Sequence, residues 1–256
     1  MVVADLHAHT TNSDGTLTLE TLADAAETAG VDVVAVTDHD RLHPELATPV
    51  ATVDGLTVVH GIELRVDAGD ERVDLLGYGA RRTDDLEALA EHLQADRIER
   101  GRRIIRRVEE RLDVELPVEP RPGIGRPHIA RAVAETTDYG TREVFAELIG
   151  SDCPCYVARD IPDFEAGVEV LREACGLVSL AHPYRYDDPA AALELCADLD
   201  AVERFYAYGR EVDTEMVERA VDRHDLLVTG GSDAHDETLG VAGLDRDDYR
   251  RFRAAL

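Results

Sequence analysis

The chain has 256 residues, a hydrophobic fraction of 44%, and 54 Asp plus Glu against 27 basic residues, giving a formal net charge of −27. No stretch approaches the ~18 apolar residues of a membrane span, and Met1 leads into Val2-Val3-Ala4-Asp5 without the basic start of a signal peptide, so a cytoplasmic protein is expected. The acidic balance argues against an extended nucleic-acid surface, which is normally basic.

Every basic residue is arginine, and the acids are spread along the chain rather than gathered in a tail. Regular apolar patterning separates this sequence from a disordered acidic protein. The composition fits a folded protein adapted to concentrated salt, where self-repulsion is screened within about 3 Å at 1 M; the plainer alternative is an ordinary acidic protein. Cys153, Cys155, Cys175 and Cys196 form no disulfide framework, and Cys153-Pro154-Cys155 is too sparse for a zinc site.

Residues 2–6 form a short apolar strand. Thr18 is placed to cap a helix whose apolar stripe is Leu19, Leu22, Ala26 and Ala29, ending at Gly30. Residues 31–36 make a second strand, 56–62 a third and 73–76 a fourth. The pattern then changes. Residues 84–112 read as a long charged helix, 117–127 as a Pro/Gly-rich stretch, and 128–136 and 142–149 as two further helices. Strand and helix signals resume with strands at 176–181, 201–205 and 226–229 and helices at 189–199 and 214–224. Repeated βα units predict a parallel sheet. The expected organisation is an α/β domain of residues 1–82 and 161–256, with 83–160 a helical insertion capping the active site.

The residues with metal chemistry fall at the ends of the predicted strands. His7 and His9 follow the first strand, two apart, so extended backbone points both imidazoles the same way. Asp14 sits in the Asn12-Ser13-Asp14-Gly15 turn, Asp38-His39-Asp40 follows the second strand, and Glu63 closes the third. His182 follows the strand at 176–181, and Asp233 and His235 follow the last. Singly, each is ordinary: His-x-His occurs on surfaces, and Asp14 suits an Asx turn. Together, five strand ends deliver imidazole and carboxylate to one rim of a parallel barrel, where barrel active sites form. That ligand set suits Zn, Mn or Fe, and paired ions suit hydrolysis of phosphate esters.

The motifs Asp5-Leu6-His7-Ala8-His9-Thr10 with Ser13-Asp14-Gly15, Val36-Thr37-Asp38-His39-Asp40, Gly61-Ile62-Glu63, Ala181-His182-Pro183 and Gly231-Ser232-Asp233-Ala234-His235 resemble, in order, those of the polymerase and histidinol phosphatase (PHP) family. Arg126-Pro127-His128-Ile129-Ala130-Arg131 and His182-Pro183-Tyr184-Arg185-Tyr186 are similar to its small stand-alone branch of nucleotide phosphatases and 5′-to-3′ exoribonucleases. The resemblance implies a distorted (β/α)₇ barrel with a helical insertion. It implies a first ion on His7, His9, Glu63 and Asp233, a second on Glu63 and His182, and a third on Asp14, His39 and His235. Where the family often has a further His, this chain has Asp74, an oxygen ligand that favours harder ions.

Two or three divalent ions are therefore expected, Mn first, with Zn, Fe or Mg as alternatives. The expected reaction is attack of a metal-activated water on phosphorus. Asp38 or His235 would assist the leaving group, Arg126 and Arg185 would bind phosphate as catalytic arginines, and His128 would contact substrate. Arg131 is a weaker phosphate candidate, and Glu203 a partner behind the ligands. The expected substrate is a small phosphorylated metabolite or nucleotide. Alternatives are a short RNA trimmed from its 5′ end, a non-catalytic metal-binding module, and an amide or ester hydrolase. Oligomeric state is not legible.

Overall fold

A computed structural model describes all 256 residues. The chain divides into two compact units, Met1–Ala88 with Ile161–Leu256, and Leu89–Asp160. The first unit holds β1 (Ala4–Ala8), α1 (Leu19–Ala29), β2 (Val33–Val36), β3 (Val50–Val53), β4 (Leu56–Asp67) and β5 (Arg72–Tyr78). The helix α2 (Asp84–Leu112) leads into the second unit, which contains α3 (Arg126–Thr136), α4 (Thr141–Val144) and a π-helical turn, Phe145–Ile149. The first unit resumes with α5 (Phe164–Ala174), β6 (Leu177–Leu180), α6 (Pro189–Glu194), β7 (Ala201–Tyr206), α7 (Glu215–His224), β8 (Leu227–Gly231) and α8 (Arg246–Ala255).

The eight-stranded sheet runs β1-β2-β4-β5-β6-β7-β8, with β3 on the side of β4. The amides of His9 and Ala234 donate to Ala234 O (2.9 Å) and His7 O (3.2 Å), so the chain just past β8 returns to β1 and nearly closes a barrel. The α/β barrel class read from the sequence is the fold observed. An all-parallel sheet is not: β3–β4, β4–β5 and β5–β6 are antiparallel. The cause is local. Four residues, Ala68 to Glu71, join β4 to β5, and Ala68 N donates to Glu71 O at 2.8 Å; a tight hairpin joins only antiparallel strands. Strand β4 consequently runs four residues beyond Glu63, which was expected to end it. Sequence patterning also missed β3, α5 and α8.

Local chemistry explains the elements that carry the site. Thr18 caps α1 by accepting from Thr21 N at 3.2 Å, while the Thr21 hydroxyl accepts from Thr18 N at 3.0 Å. Gly30, at φ 70°, ends it in the left-handed conformation that glycine adopts at least cost. Leu22 and Ala26 of α1 pack on Val34, Val36 and Val58 of the sheet. At a second cluster Phe252 of α8 joins Leu6, Ala35, Val59 and Tyr78, its ring edge-on to Tyr78 with centroids 5.2 Å apart. Both clusters are dry apolar cores of the kind that supplies most folding free energy.

The second unit has its own core of Ile104, Val108, Ile129, Val133, Val144 and Ile149. Two buried arginines of α2 tie its Pro/Gly-rich segment and its return to the helix: Arg97 donates to Ile124 O (3.3 Å) and Arg100 to Val157 O (2.7 Å). Burial, reinforced by Arg126, Arg159 and Arg97, pushes Arg100 down to about 9.

His60, on β4, is 1% exposed, and its Nε2 has no hydrogen-bond partner. Burial, with Arg82 and His43 beside it, holds its pKa down at about 4 against an ordinary 6.5. The folded chain therefore keeps this imidazole neutral where the unfolded chain protonates it. Stability contributed above 6.5 is lost as pH falls towards 4, by about 3 kcal/mol in full. Urea unfolding at pH 7 and pH 4 should show a steeper loss in wild type than in His60→Phe; equal losses would contradict this reading.

Candidate metal centre

The ligand-type residues predicted at strand ends converge. His7 lies in β1 and His9 just past it; His39 follows β2; His182 follows β6; Asp233 and His235 follow β8. Glu63 sits mid-strand in β4. Asp74 lies near the start of β5 and reaches the same place because β5 runs the opposite way. Three overlapping groups result, each with donor atoms within 4.8 Å of one another: His7, His9, Glu63 and Asp233; His9, Asp14, His39 and His235; and Glu63, Asp74 and His182.

Glu63 is the hub. Its Oε1 lies 3.4 Å from His7 Nε2 and 3.1 Å from His182 Nε2, and its Oε2 lies 3.3 Å from His9 Nε2 and 2.8 Å from His39 Nδ1. Asp233 Oδ1 stands 3.0 Å from His9 Nε2 and 3.4 Å from His7 Nε2. Asp14 Oδ1 stands 3.5 Å from His235 Nε2 and 3.7 Å from His39 Nε2. His7, His9 and Glu63 are at most 1% exposed.

Such burial disfavours charge, yet the neighbours override it. Burial raises the carboxyls of Asp14, Glu63 and Asp233, but adjacent imidazoles hold all three below the usual carboxylate range. Burial lowers His7, but Glu203, Asp233 and Glu63 hold it well above its ordinary value. His9 is pushed down by burial and by His39. Several buried atoms of these residues find no hydrogen-bond partner, among them His7 Nε2 and Asp14 Oδ1. Unsatisfied buried atoms of this kind cost free energy unless something coordinates them. Converging orphaned lone pairs from imidazole and carboxylate fit divalent ions of the Zn, Mn and Fe type.

A ring of further contacts orients these ligands. Glu203 Oε1 lies 3.0 Å from His7 Nδ1, which fixes the tautomer that turns Nε2 to the cluster, and Glu203 Oε2 accepts from His182 N at 2.7 Å. Asp5 accepts from Ser232 N (2.9 Å), Ser232 Oγ (2.6 Å), Gly240 N (2.8 Å) and His7 N (3.3 Å), binding β1 to the loop that carries Asp233. His182 and Asp233 both adopt positive φ, 27° and 51°, a strained setting for non-glycine residues at a functional site. Gly231 is required by close approach: a Cβ there would stand 2.3 Å from His7 N.

The residues expected at the substrate divide. Arg185 Nη1 is pinned 2.8 Å from Asp233 Oδ2 and donates to Tyr206 Oη at 3.1 Å, with the side chain 53% exposed. His235 directs Nδ1 to Asp233 O at 2.9 Å, leaving Nε2 towards Asp14. Asp38 is hydrogen-bonded to the turn that follows β1. Its oxygens accept from Thr10 N, Thr10 Oγ1 and Ser13 Oγ, each at 2.7 Å, and from Asn12 Nδ2 at 3.0 Å. Asp38 thereby clamps the loop that presents Asp14.

Within the second unit, Arg126 stacks over Phe145 and Tyr156 and donates to Ile149 O, and His128 Nδ1 accepts from Gly125 N at 3.1 Å. Arg131 is exposed on α3. Sequence reading assigned no role to Asp5, Tyr206 or Arg65; an acid inside a buried apolar strand was the one available signal, at Asp5.

Removing the carboxylate behind His7 tests this arrangement. Glu203→Gln should weaken Mn binding 10- to 100-fold in a protein whose circular dichroism is unchanged, as measured by titration of the metal-stripped protein. Unaltered affinity would show that Glu203 does not orient His7.

Comparison with known proteins agrees with this geometry. Residues 5–151 match the PHP domain family. The chain is 30% identical to the 5′-3′ exoribonuclease Rnm of Salmonella typhimurium, over 91% of this chain and 85% of that protein. It is 29% identical to the 3′,5′-nucleoside bisphosphate phosphatase of Chromobacterium violaceum, over 92% and 88%. Among solved structures, a protein of Bifidobacterium adolescentis designated a metal-dependent phosphoesterase superimposes with a TM-score of 0.80 at 28% identity, covering 98% of this chain and 96% of the other. Motif order, barrel and clustered ligands agree with the match over residues 5–151: the chain belongs to the PHP family.

Proposed function

We infer that this site hydrolyses a phosphate ester of a nucleotide or other small phosphorylated metabolite. The chemistry is metal-dependent phosphoester hydrolysis, the class to which the PHP family and the named relatives belong. The observation that carries the substrate reading is Arg185. Its guanidinium is fixed beside Asp233 by two hydrogen bonds while half its side chain remains exposed.

His7, His9, Glu63 and Asp233 are the proposed holders of one ion, Asp14, His39 and His235 of another, and Glu63, Asp74 and His182 of a third. Bound divalent ions would lower the pKa of water and draw charge from the phosphoryl oxygens. Mn is the proposed metal, because oxygen donors share every group with imidazole. The chain's own residues do the rest. Glu63 ties the groups together, since each of its oxygens faces two imidazoles. Arg185 presents a planar fork to phosphoryl oxygens, a match that lysine lacks. Tyr206 donates to Asp233 Oδ2 at 2.9 Å, so that carboxylate keeps one oxygen, Oδ1, turned to the imidazoles. Arg126, its guanidinium carbon 5.6 and 6.0 Å from the centroids of two aromatic rings, and His128 are proposed as substrate contacts of the second unit.

A second reading, trimming of short RNA from its 5′ end, is favoured by the 30% identity to an exoribonuclease across most of both chains. The excess of 27 negative charges favours the smaller substrate. The same charge, carried without any lysine, underlies the proposal of a salt-adapted protein. The four cysteines, all free thiols, suit a cytoplasmic setting.

A single assay series tests these readings. Metal-stripped protein is given Mn in molar and in 0.1 M KCl, with a nucleotide 5′-monophosphate, a nucleoside 3′,5′-bisphosphate, a 5′-phosphorylated short RNA and a neutral ester in parallel. Mn-dependent phosphate release is expected, greatest on a mononucleotide and stronger in molar KCl. His7→Ala should abolish it, and Arg185→Ala should lower kcat/KM by roughly 100-fold, the scale of a lost charged contact in the transition state. Turnover of RNA alone would select the second reading, and turnover of the neutral ester alone would refute phosphoester hydrolysis.

A further inference from the structure

We propose that Arg65 makes the position formed by Glu63, Asp74 and His182 a loosely held, exchangeable ion site, unlike the other two. The inference rests on the metal reading given above and concerns how tightly this chain holds each ion.

The argument begins with strand register. Side chains alternate along β4, so Glu63 and Arg65 share one face. In the antiparallel ladder with β5, Arg65 stands directly opposite Asp74. Directly opposed side chains in such a pair lie on the same face, with Cβ atoms about 5 Å apart. The hairpin that brings Asp74 to the metal centre therefore brings a guanidinium with it. Arg65 Nη1 lies 3.0 Å from Asp74 Oδ2 and 3.4 Å from Oδ1, and Arg65 Nη2 donates to Arg72 O at 3.4 Å, which steadies the side chain there.

The competition is for one atom. Asp74 Oδ2 is the oxygen that faces His182 Nε2, at 3.7 Å, and is the atom closest to Arg65. An ion at this position has to share that oxygen with a fixed positive charge. Asp233 also meets an arginine, but there the work is split: Arg185 takes Oδ2, while Oδ1 faces His7 and His9. The other two groups thus keep their carboxylate oxygens for the imidazoles.

Two further differences point the same way. The group of His7, His9, Glu63 and Asp233 offers four residues, and this one offers three. In the first group one imidazole, His7, is oriented from behind by Glu203 while His9 Nδ1 has no partner; the sole imidazole here, His182, has a buried Nδ1 with no hydrogen-bond partner. A ligand imidazole without such support binds metal 10- to 100-fold less tightly. With two carboxylates and one imidazole the position takes a hard ion, Mn or Mg, rather than Zn.

Mn titration of the metal-stripped wild type, followed by the electron paramagnetic resonance of free Mn, should show two tight equivalents. A third should bind at least 10-fold more weakly. Arg65→Gln, which removes the charge and leaves a shorter polar side chain, should tighten the third equivalent about 10-fold and leave the first two unchanged. Asp74→Asn should abolish the third equivalent alone, and Arg65→Met serves in place of Arg65→Gln if that variant unfolds. Three equivalents of equal affinity, or a third equivalent that Arg65→Gln leaves weak, would overturn the role of Arg65 while leaving the metal centre standing. No Mn bound by wild type would overturn the metal reading itself.

Discussion

The structure turns on the burial of one carboxylate among imidazoles. Glu63, at the middle of β4, has each oxygen within about 3.5 Å of two histidines, and it is 1% exposed. Taking a carboxylate out of water costs several kcal/mol unless it is neutralised by position. Here the compensation is a set of ligand atoms drawn from strands far apart in sequence. Those atoms orient one another only if the barrel holds them in register. The fold and the site are therefore one problem: β1, β2, β4, β5, β6 and β8 must close round Glu63 before its burial is tolerable.

Three other buried carboxylates do that holding, and none of them belongs to a ligand group. Asp5 ties β1 to the loop of Asp233, Asp38 gathers the turn of Asp14, and Glu203 fixes the His7 ring and the backbone of His182. Each joins two segments that carry ligands. Such groups are pre-organisers: they remove the freedom that an ion would otherwise have to freeze. Asp38 adjoins His39 in sequence, and its oxygens are filled by four hydrogen bonds from one loop.

The sequence made most of the candidate ligands legible, because they sit where a two-residue period or a strand end leaves a polar residue with nowhere apolar to go. His7, His9, His39, His182, Asp233 and His235 were all readable in that way. Asp74 was readable only through the family resemblance. What escaped was anything decided by strand direction. The short link from Ala68 to Glu71 turns β5 round, which carries β4 past Glu63, and this reversal sets Arg65 against Asp74. Nothing in local periodicity distinguishes that hairpin from a βα step. The role of Asp38 escaped for a related reason: hydrogen bonds to Thr10, Asn12 and Ser13 depend on how a loop folds back, not on spacing along the chain.

Anomalous diffraction at the manganese edge, from crystals of the protein grown with Mn, addresses the central claim most directly. The account predicts strong peaks among His7, His9, Glu63 and Asp233 and among Asp14, His39 and His235, with Glu63 adjoining both the first ion and a weaker peak at His182. A map with no peak within bonding distance of Glu63 would contradict it, and the buried lone pairs would then need another explanation.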